Sequence, residues 1–252
     1  MMHSQDALTA KVPEVTLVFW IMKILSTTLG ETGGDTVSMS MNLGYLLSTG
    51  IFGTLFIVLV VIQVSARKFH PAVYWTTIIA TTTVGTTLSD YTTRSLGIGY
   101  AGGSSLLLLL LLLSLFVWYR SLGSIAVGSV SSPKAEIHYW VTIMFSQTLG
   151  TALGDWTADT ASLGYLGSAI IFGGLLALIA AAYFATNISR TGLFWAAFIL
   201  TRPLGAVVGD FLDKPVASGG LELSRYAASA TLLIGIVLMA WIFKQKPAVR
   251  AH

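Results

Sequence analysis

The chain of 252 residues contains no cysteine and few charged residues. Without cysteine it can form no disulfide, no thiolate metal site and no cysteine nucleophile. Asp, Glu, Lys and Arg together make up 10% of the residues and hydrophobic residues 54%, whereas soluble domains are about 25% charged. So few charges could not cover a soluble globule. Several apolar stretches of about 20 residues are long enough to cross a bilayer as helices, so we expect a multi-pass membrane protein.

Motifs of the common enzyme classes are also missing. The sequence has no P-loop and no G-x-G-x-x-G segment, and no pairing of a nucleophile with a base is visible. We therefore expect no enzymatic activity and no cofactor. The net charge of +3 is small and scattered, which argues against a nucleic-acid partner. Residues 1–14 lack the features of a signal peptide, and we interpret them as an N-terminal tail.

One pattern occurs four times: an aromatic residue, a Trp, nine residues, a Gly, four residues, an Asp, eight residues and a second Gly. The Trp residues are separated by 55 residues within each half, and the halves are offset by 120 residues. A pair of repeats that was duplicated once explains this spacing. The four copies contain Trp20, Gly30, Asp35 and Gly44; Trp75, Gly85, Asp90 and Gly99; Trp140, Gly150, Asp155 and Gly164; and Trp195, Gly205, Asp210 and Gly219.

Each repeat predicts two helices. The first, helix A, contains the Trp, the first Gly and the Asp, and the second, helix B, follows the second Gly. We predict A helices over 15–35, 71–91, 137–158 and 192–212, and B helices over 44–66, 101–119, 162–186 and 223–243. The fold class is thus an all-α membrane protein with eight transmembrane helices, pseudo-symmetric about the membrane normal. The first half covers 15–120, a linker 121–136, the second half 137–243 and a C-terminal tail 244–252.

Basic residues predict the orientation, because Lys and Arg favour cytoplasmic loops. The N-terminal tail and the segments after the B helices contain nine of the 14 basic residues, namely Lys11, Arg67, Lys68, Arg120, Lys134, Arg190, Lys244, Lys246 and Arg250. The A-to-B loops contain only Arg94, Lys214 and Arg225. We expect both termini in the cytoplasm and the Asp-bearing ends of the A helices on the outer side. The Trp residues would then lie near a membrane interface.

A polar stripe follows one face of the A helices, since residues four apart share a face. Such a face avoids hydrocarbon, so the four stripes should meet inside the bundle. The stripe comprises Lys23, Thr27, Glu31 and Asp35; Thr82, Thr86 and Asp90; Gln147, Thr151, Asp155 and Asp159; and Arg202, Ala206 and Asp210.

The acids of this stripe predict a cation site made of Glu31, Asp35, Asp90, Asp155, Asp159 and Asp210. The competing interpretation is that each Asp caps a helix or closes a turn. Oxygen ligands favour hard cations such as Mg²⁺, Ca²⁺ and Mn²⁺. Clustered carboxylates can also exchange protons for metal. The leading hypothesis is a secondary transporter that exports a divalent metal cation such as Mn²⁺, with proton coupling as an option.

Two basic residues, Lys23 and Arg202, depart from the four-fold pattern. An unpaired charge inside a membrane is costly, so each is expected to have a carboxylate partner. They are either structural ion pairs or charge-coupling residues that occupy the acid site until substrate displaces them. The glycines near the acids predict either close helix packing or unwound helices whose carbonyls bind the ion.

Three other functions remain open. The acids could carry protons in a transporter of a small organic solute, with Lys23 or Arg202 binding its anionic group. They could be caps and salt bridges in a membrane scaffold or sensor. The segment from Tyr74-Trp75 to Thr82-Thr83-Val84-Gly85 resembles the pore helix and filter start of a potassium channel, although the second filter glycine is absent.

The four Trp-bearing copies resemble a family of bacterial membrane proteins defined by four tandem repeats, each with two transmembrane regions and a Trp. This resemblance covers nearly the whole chain and implies a bacterial inner-membrane protein, with membrane lipid as a partner. It implies no reaction. The fourth copy departs from the others at Pro203, at Ala206 and in a loop with Asp213, Lys214 and Pro215, which favours a two-plus-two arrangement of the site over a four-fold one.

Overall fold

A computed structural model describes residues 10–248, and within them the chain is all-α with eight long helices. Five of these, α2, α4, α6, α7 and α8, are long and apolar enough to cross a membrane. Helices α1, α3 and α5 contain more polar residues and are not among these five. The helices are α1 (Leu17–Asp35), α2 (Gly44–Ser65), α3 (Pro71–Asp90), α4 (Gly99–Leu122), α5 (Pro133–Asp155), α6 (Gly164–Ala185), α7 (Arg190–Asp213) and α8 (Arg225–Ile242).

Local signals set the helix boundaries. The hydroxyl of Thr16 accepts from the backbone N–H of Phe19 at the start of α1, and Ser132 caps α5 in the same way. Pro133 at the first turn fits that position because its missing N–H is not needed there. Helix α5 therefore begins four residues earlier than predicted, and the connection from α4 is shorter than the predicted linker.

The segment after the Asp is alike in three repeats and different in the fourth. Helices α1, α3 and α5 continue into five-residue π-helical turns over Thr36–Ser40, Tyr91–Ser95 and Trp156–Thr160. Helix α7 instead continues to Asp213 and enters a loop with a short 3₁₀ turn over Val216–Ser218. Gly219 in this loop, like its three counterparts in the other repeats, has a positive φ between 66° and 87°. That backbone region favours glycine and explains why the second Gly recurs.

The A helices form the inside of the molecule and the B helices the outside. Helix α1 contacts α3 and α7, and α5 contacts the same two helices, so the four A helices close into a ring. Each B helix packs against the A helix of the following repeat, and α8 completes the circle on α1. The B helices leave apolar side chains exposed, such as Leu109 at 62% and Ile170 at 67%, as expected of lipid-facing helices.

The first Gly of each repeat lies where neighbouring A helices touch. Gly30 faces Thr82, Gly85 faces Gln147, Gly150 faces Arg202, and Gly205 faces Thr27, so each meets the equivalent position of the next repeat. A Cβ atom on any of them would overlap the facing residue. The A helices are continuous through these glycines. Close packing therefore explains them, and the predicted unwinding is not observed.

Replacing Gly150 with Ala should destabilise the protein, because the added methyl group overlaps Arg202 Cγ and Cβ. Overpacking of this kind costs about 1–3 kcal/mol. Gly33 on α1 is the matched control, since a Cβ there meets nothing within 4 Å. Gly33→Ala should be neutral or stabilising by about 0.5–1 kcal/mol. Denaturant unfolding in detergent measures both, and equal effects of the two changes would contradict this assignment.

A cluster of buried aromatic rings closes the end of the ring opposite the acids. Phe19, Tyr74, Tyr139 and Phe194 are almost fully buried, and the hydroxyls of Tyr74 and Tyr139 are 2.7 Å apart. Trp75, Trp140 and Trp195 belong to the same cluster at 2–4% exposure. These three Trp residues therefore pack inside the helix ring instead of facing lipid, at the end of the ring opposite the acids.

Candidate functional site

The predicted polar stripe lies inside the ring of A helices. Its members are at most 2% exposed, with one exception. The exception is Asp159, which follows α5 in the π-helical turn and is exposed. Its carboxylate is 3.4 Å from the hydroxyl of Tyr100. Asp159 thus lies apart from the buried acids with which it was grouped.

Arg202 on α7 spans the middle of the ring. Its Nη2 atom donates to Glu31 Oε2 on α1 at 3.0 Å, to Thr86 Oγ1 on α3 at 2.6 Å and to Thr151 Oγ1 on α5 at 2.5 Å. One side chain therefore contacts all three of the other A helices. Arg202 has the carboxylate partner that its position requires.

Above Arg202, three carboxylates from two helices converge. Oxygen atoms of Glu31 and Asp35 on α1 and of Asp210 on α7 all lie within 4.8 Å of one another. These side chains are 1–2% exposed, and Asp35 Oδ1 is buried and accepts no hydrogen bond. We call Glu31, Asp35 and Asp210 the acid triad. It is a set of oxygen ligands of the kind that hard cations take.

Lys214 is the nearest cation of the A-to-B loops to this triad. Its Nζ is 2.6 Å from Asp35 Oδ2 and 3.0 Å from Asp210 Oδ1. Burial works to lower the pKa of Lys214, but the carboxylates of Asp210, Asp35 and Asp213 outweigh burial and raise it above its ordinary value. The side chain is therefore an ammonium ion. Arg225 lies nearby, 3.2 Å from Asp213 Oδ2.

Arg94 joins the other two repeated acids. Its Nε is 3.2 Å from Asp90 Oδ1 and its Nη2 is 3.0 Å from Asp155 Oδ2. The four repeated Asp residues therefore form two pairs, each bridged by one basic residue from an A-to-B loop. This is the two-plus-two arrangement that the irregular fourth copy favours.

The capping interpretation does not describe these acids. Asp35, Asp90 and Asp155 occupy the residue before each π-helical turn, yet none makes a side-chain capping hydrogen bond there. Their carboxylates instead face the bridging cations. Helix capping therefore does not account for the Asp at this position of these three repeats.

Lys23 differs from Arg202 in having no carboxylate partner among the described residues. Its Nζ is fully buried without a hydrogen-bond partner and lies 4.2 Å from the centre of the Phe198 ring. The expectation that Lys23 is paired is therefore wrong, because Glu31, the nearest acid along its own stripe, is bound to Arg202. The contact with the face of Phe198 is a cation–π geometry.

Replacing Lys23 with Met should stabilise the fold. A buried polar group without a partner costs about 1–3 kcal/mol, and Met fills a similar volume without that cost. Ile78→Met, at the equivalent position of α3, is the matched control and should cost less than about 1.5 kcal/mol. Unfolding measured in detergent distinguishes them. A lower free energy of unfolding for Lys23→Met would show that Lys23 has a partner.

The bridging role of Arg94 and Lys214 was missed from the sequence, where both counted only as loop charges. A signal existed, because each lies four residues after the Asp of its own repeat, the spacing at which helical side chains meet. The other two repeats have Met39 and Asp159 at this position. Basic residues therefore alternate around the ring, and this alternation produces the two pairs.

The segment that resembles a potassium-channel filter is helical. Thr82, Thr83, Val84 and Gly85 lie in the interior of α3, which runs unbroken from Pro71 to Asp90. Thr82 and Gly85 contact neighbouring A helices. A filter needs extended backbone whose carbonyls face the ion path, and this segment does not have it.

Four helices form a ring with their polar faces turned inward, and four apolar helices enclose them. With five helices long and apolar enough to cross a membrane, this arrangement defines an all-α membrane protein built from four repeats. The family model described as "Repeat of Unknown Function (DUF347)" matches residues 18–69, 73–124, 138–189 and 193–246. The chain belongs to this family, with four tandem copies, as its repeats predicted. No curated protein and no solved structure matches the chain.

Proposed function

We propose that the protein is a secondary transporter that exports a divalent metal cation such as Mn²⁺. The single observation that carries the proposal is the convergence of Glu31, Asp35 and Asp210 within 4.8 Å inside the helix ring. Buried carboxylates are costly unless they are paired or bind a cation. Ionisable residues inside a membrane bundle mark ion pathways in transporters.

The chemistry of the triad supports a hard cation. All three residues offer carboxylate oxygens, and the chain has no cysteine. His70 and His138 lie at the opposite ends of the A helices from the acids, one just before α3 and one in the first turns of α5. Oxygen-only sites suit Mg²⁺, Ca²⁺ and Mn²⁺ better than Cu⁺ or Zn²⁺.

Formal charge supports a divalent ion. The triad has three negative charges when ionised, and Arg202 contributes one positive charge through Glu31. Lys214 is bound to both Asp35 and Asp210, so a divalent cation matches their two negative charges when it takes the place of this ammonium. In that exchange a monovalent cation would leave one charge uncompensated in a buried site, which is unfavourable at low dielectric.

The proposed setting is the inner membrane of a bacterium, with all eight helices crossing it and both termini in the cytoplasm. The polar helices α1, α3 and α5 can cross because the B helices enclose them. The A-to-B loops, with few basic residues, would then be external. The acid triad would lie near the outer side of the membrane and the aromatic cluster near the cytoplasmic side. Export of the metal ion would be coupled to the movement of protons in the opposite direction.

The alternative, transport of an organic solute with an anionic group, has weaker support. Arg202 Nη2 already donates to Glu31, Thr86 and Thr151. Lys23 lies against the ring of Phe198. Neither basic residue offers an open anion site in this arrangement.

The proposal is tested by flux into proteoliposomes containing the purified protein and a metal-quenched dye. Mn²⁺ should enter with saturable kinetics, and a proton gradient should change the rate. Mn²⁺ should also raise the melting temperature, since ligand at 100 times its Kd stabilises by about 2.7 kcal/mol. Flux equal to that of empty liposomes for Mn²⁺, Mg²⁺ and Ca²⁺ would contradict the proposal. An organic solute predicts no stabilisation by metal.

A further inference from the structure

The inference concerns Lys214 and rests on the proposed function. Its ammonium lies between the carboxylates of Asp35 and Asp210, at 2.6 Å and 3.0 Å. These are two of the three acids that would hold a metal ion, so a metal ion and Lys214 need the same oxygen atoms. We propose that Lys214 is a tethered cation that occupies the site when it is empty and is displaced when a divalent cation binds.

The geometry of the triad is suited to an exchange. Lys214 bridges two of the acids, while Arg202 holds the third, Glu31, from below. Asp35 Oδ1 remains buried without a hydrogen bond. Lys214 therefore neutralises the pair only in part, since the other nearby cation, Arg225, is 4.0 Å from Asp35 and closer to Asp213. A divalent ion would supply the charge and the coordination that one ammonium does not.

Arg94 does not have this exchangeable character. It contacts Asp90 and Asp155 through different nitrogen atoms, and its Nε also lies 3.1 Å from the hydroxyl of Tyr100. A guanidinium held at several points is preorganised, whereas an ammonium is a point charge on a flexible stem. A preorganised guanidinium thus holds the Asp90–Asp155 pair, whereas a flexible ammonium holds the Asp35–Asp210 pair, which makes the second pair the better suited to exchange.

The loop that positions Lys214 is specific to the fourth repeat. The backbone N–H of Lys214 donates to the carbonyl of Asp210 at 2.9 Å, and the carbonyl of Lys214 accepts from the backbone N–H of Glu222 at 2.9 Å. Gly220 packs so closely on this carbonyl that a Cβ would overlap it. The backbone is therefore fixed at the mouth of the site, and displacement requires only rotation of the side chain. At 13% exposure the side chain already touches solvent.

Occupation by Lys214 explains how a buried acid site can remain stable without its ion. When Lys214 leaves, Asp213 remains paired with Arg225 at 3.2 Å, so that neighbouring pair stays closed. Lys214 also lowers the apparent metal affinity, because every bound ion must first compete with it. Weaker binding of this kind favours release, which a transporter needs at each cycle.

The absence of cysteine allows a reversible chemical test. Lys214→Cys provides a single thiol in the chain, and an aminoethyl methanethiosulfonate reagent then restores an ammonium at that position. We expect Lys214→Cys to bind Mn²⁺ about tenfold or more tightly than the unmodified protein. Aminoethylation should return the Mn²⁺ affinity towards that of the original protein. Modification with the neutral reagent methyl methanethiosulfonate should leave the affinity high. Lys244→Cys, at an exposed position, is the matched control and should be unaffected throughout.

The outcomes separate this inference from the proposed function. Mn²⁺ binding that is equal in the original protein and Lys214→Cys would overturn the inference and leave the proposed function standing. Binding by neither protein would overturn both. Binding by Lys214→Cys alone, lost again after aminoethylation, would support the inference in its strongest form. Lys214→Gln is the second variant for each comparison, and agreement between the two variants is required.

Discussion

Replacing Asp35 or Asp210 with Asn is expected to lower the affinity for Mn²⁺ about 100-fold or more. Changes to groups that merely support a metal ligand cost about 10- to 100-fold in affinity, and these two carboxylates are proposed as the ligands themselves. Each substitution keeps the size of the side chain and removes one negative charge. Isothermal titration of the purified protein in detergent measures the effect, and flux in proteoliposomes should fall with it.

Two matched variants test whether the effect is specific to the triad. Asp159→Asn removes an acid from the same end of the molecule, but Asp159 is exposed, so its effect should be small. Asp155→Asn removes an acid that Arg94 already holds at 3.0 Å and should cost less than Asp35→Asn. A loss as large in Asp159→Asn as in Asp35→Asn would indicate general electrostatic attraction instead of a site.

Replacing Arg202 with Met should have the largest effect on stability. The substitution leaves Glu31 buried without its ionic partner and removes the hydrogen bonds to Thr86 and Thr151. Breaking a buried pair on one side costs about 3–5 kcal/mol. The expected result is a strongly reduced yield of folded protein and a lower melting temperature in detergent.

The double variant Glu31→Gln with Arg202→Met shows whether the unpaired charge is the cause. Replacing both members of a buried pair is often neutral, so the double variant should recover most of the lost stability. It should still bind Mn²⁺ poorly, since one acid of the triad is missing. If the double variant is as unstable as Arg202→Met, then the fold is stabilised by the packing of the guanidinium at the ring centre and not by the ion pair.

Much of the fold could be predicted because each repeat has its own local signals. The spacing of Trp, Gly and Asp predicted four copies, and the four-residue steps from Lys23 to Asp35 predicted a face directed inward. Thr82, Gln147 and Arg202 lie at equivalent positions, and the structure places each against the first Gly of the preceding repeat. These features depend on helix periodicity, which is visible in a single sequence.

The rest depended on contacts across the ring. Lys214 reaches Asp35 over 179 residues of sequence, and nothing local to α1 indicates that partner. Lys23 was expected to have an acid because of its charge, but the nearest acid along its stripe belongs to Arg202, which reaches Glu31 over 171 residues. Ring closure also buries three of the four repeated Trp residues, which their residue type alone did not indicate. Ring closure is a tertiary property that local patterns do not contain.

The most direct measurement is anomalous diffraction at the manganese absorption edge from crystals of the protein grown with Mn²⁺. The account predicts one strong peak between the carboxylates of Glu31, Asp35 and Asp210, within the distance of about 2.0–2.6 Å that hard cations keep from oxygen ligands. It also predicts that the Lys214 ammonium has moved away from Asp35. If crystals grown at a saturating Mn²⁺ concentration show no peak between these carboxylates, and Lys214 is still bound to Asp35 and Asp210, the account is contradicted.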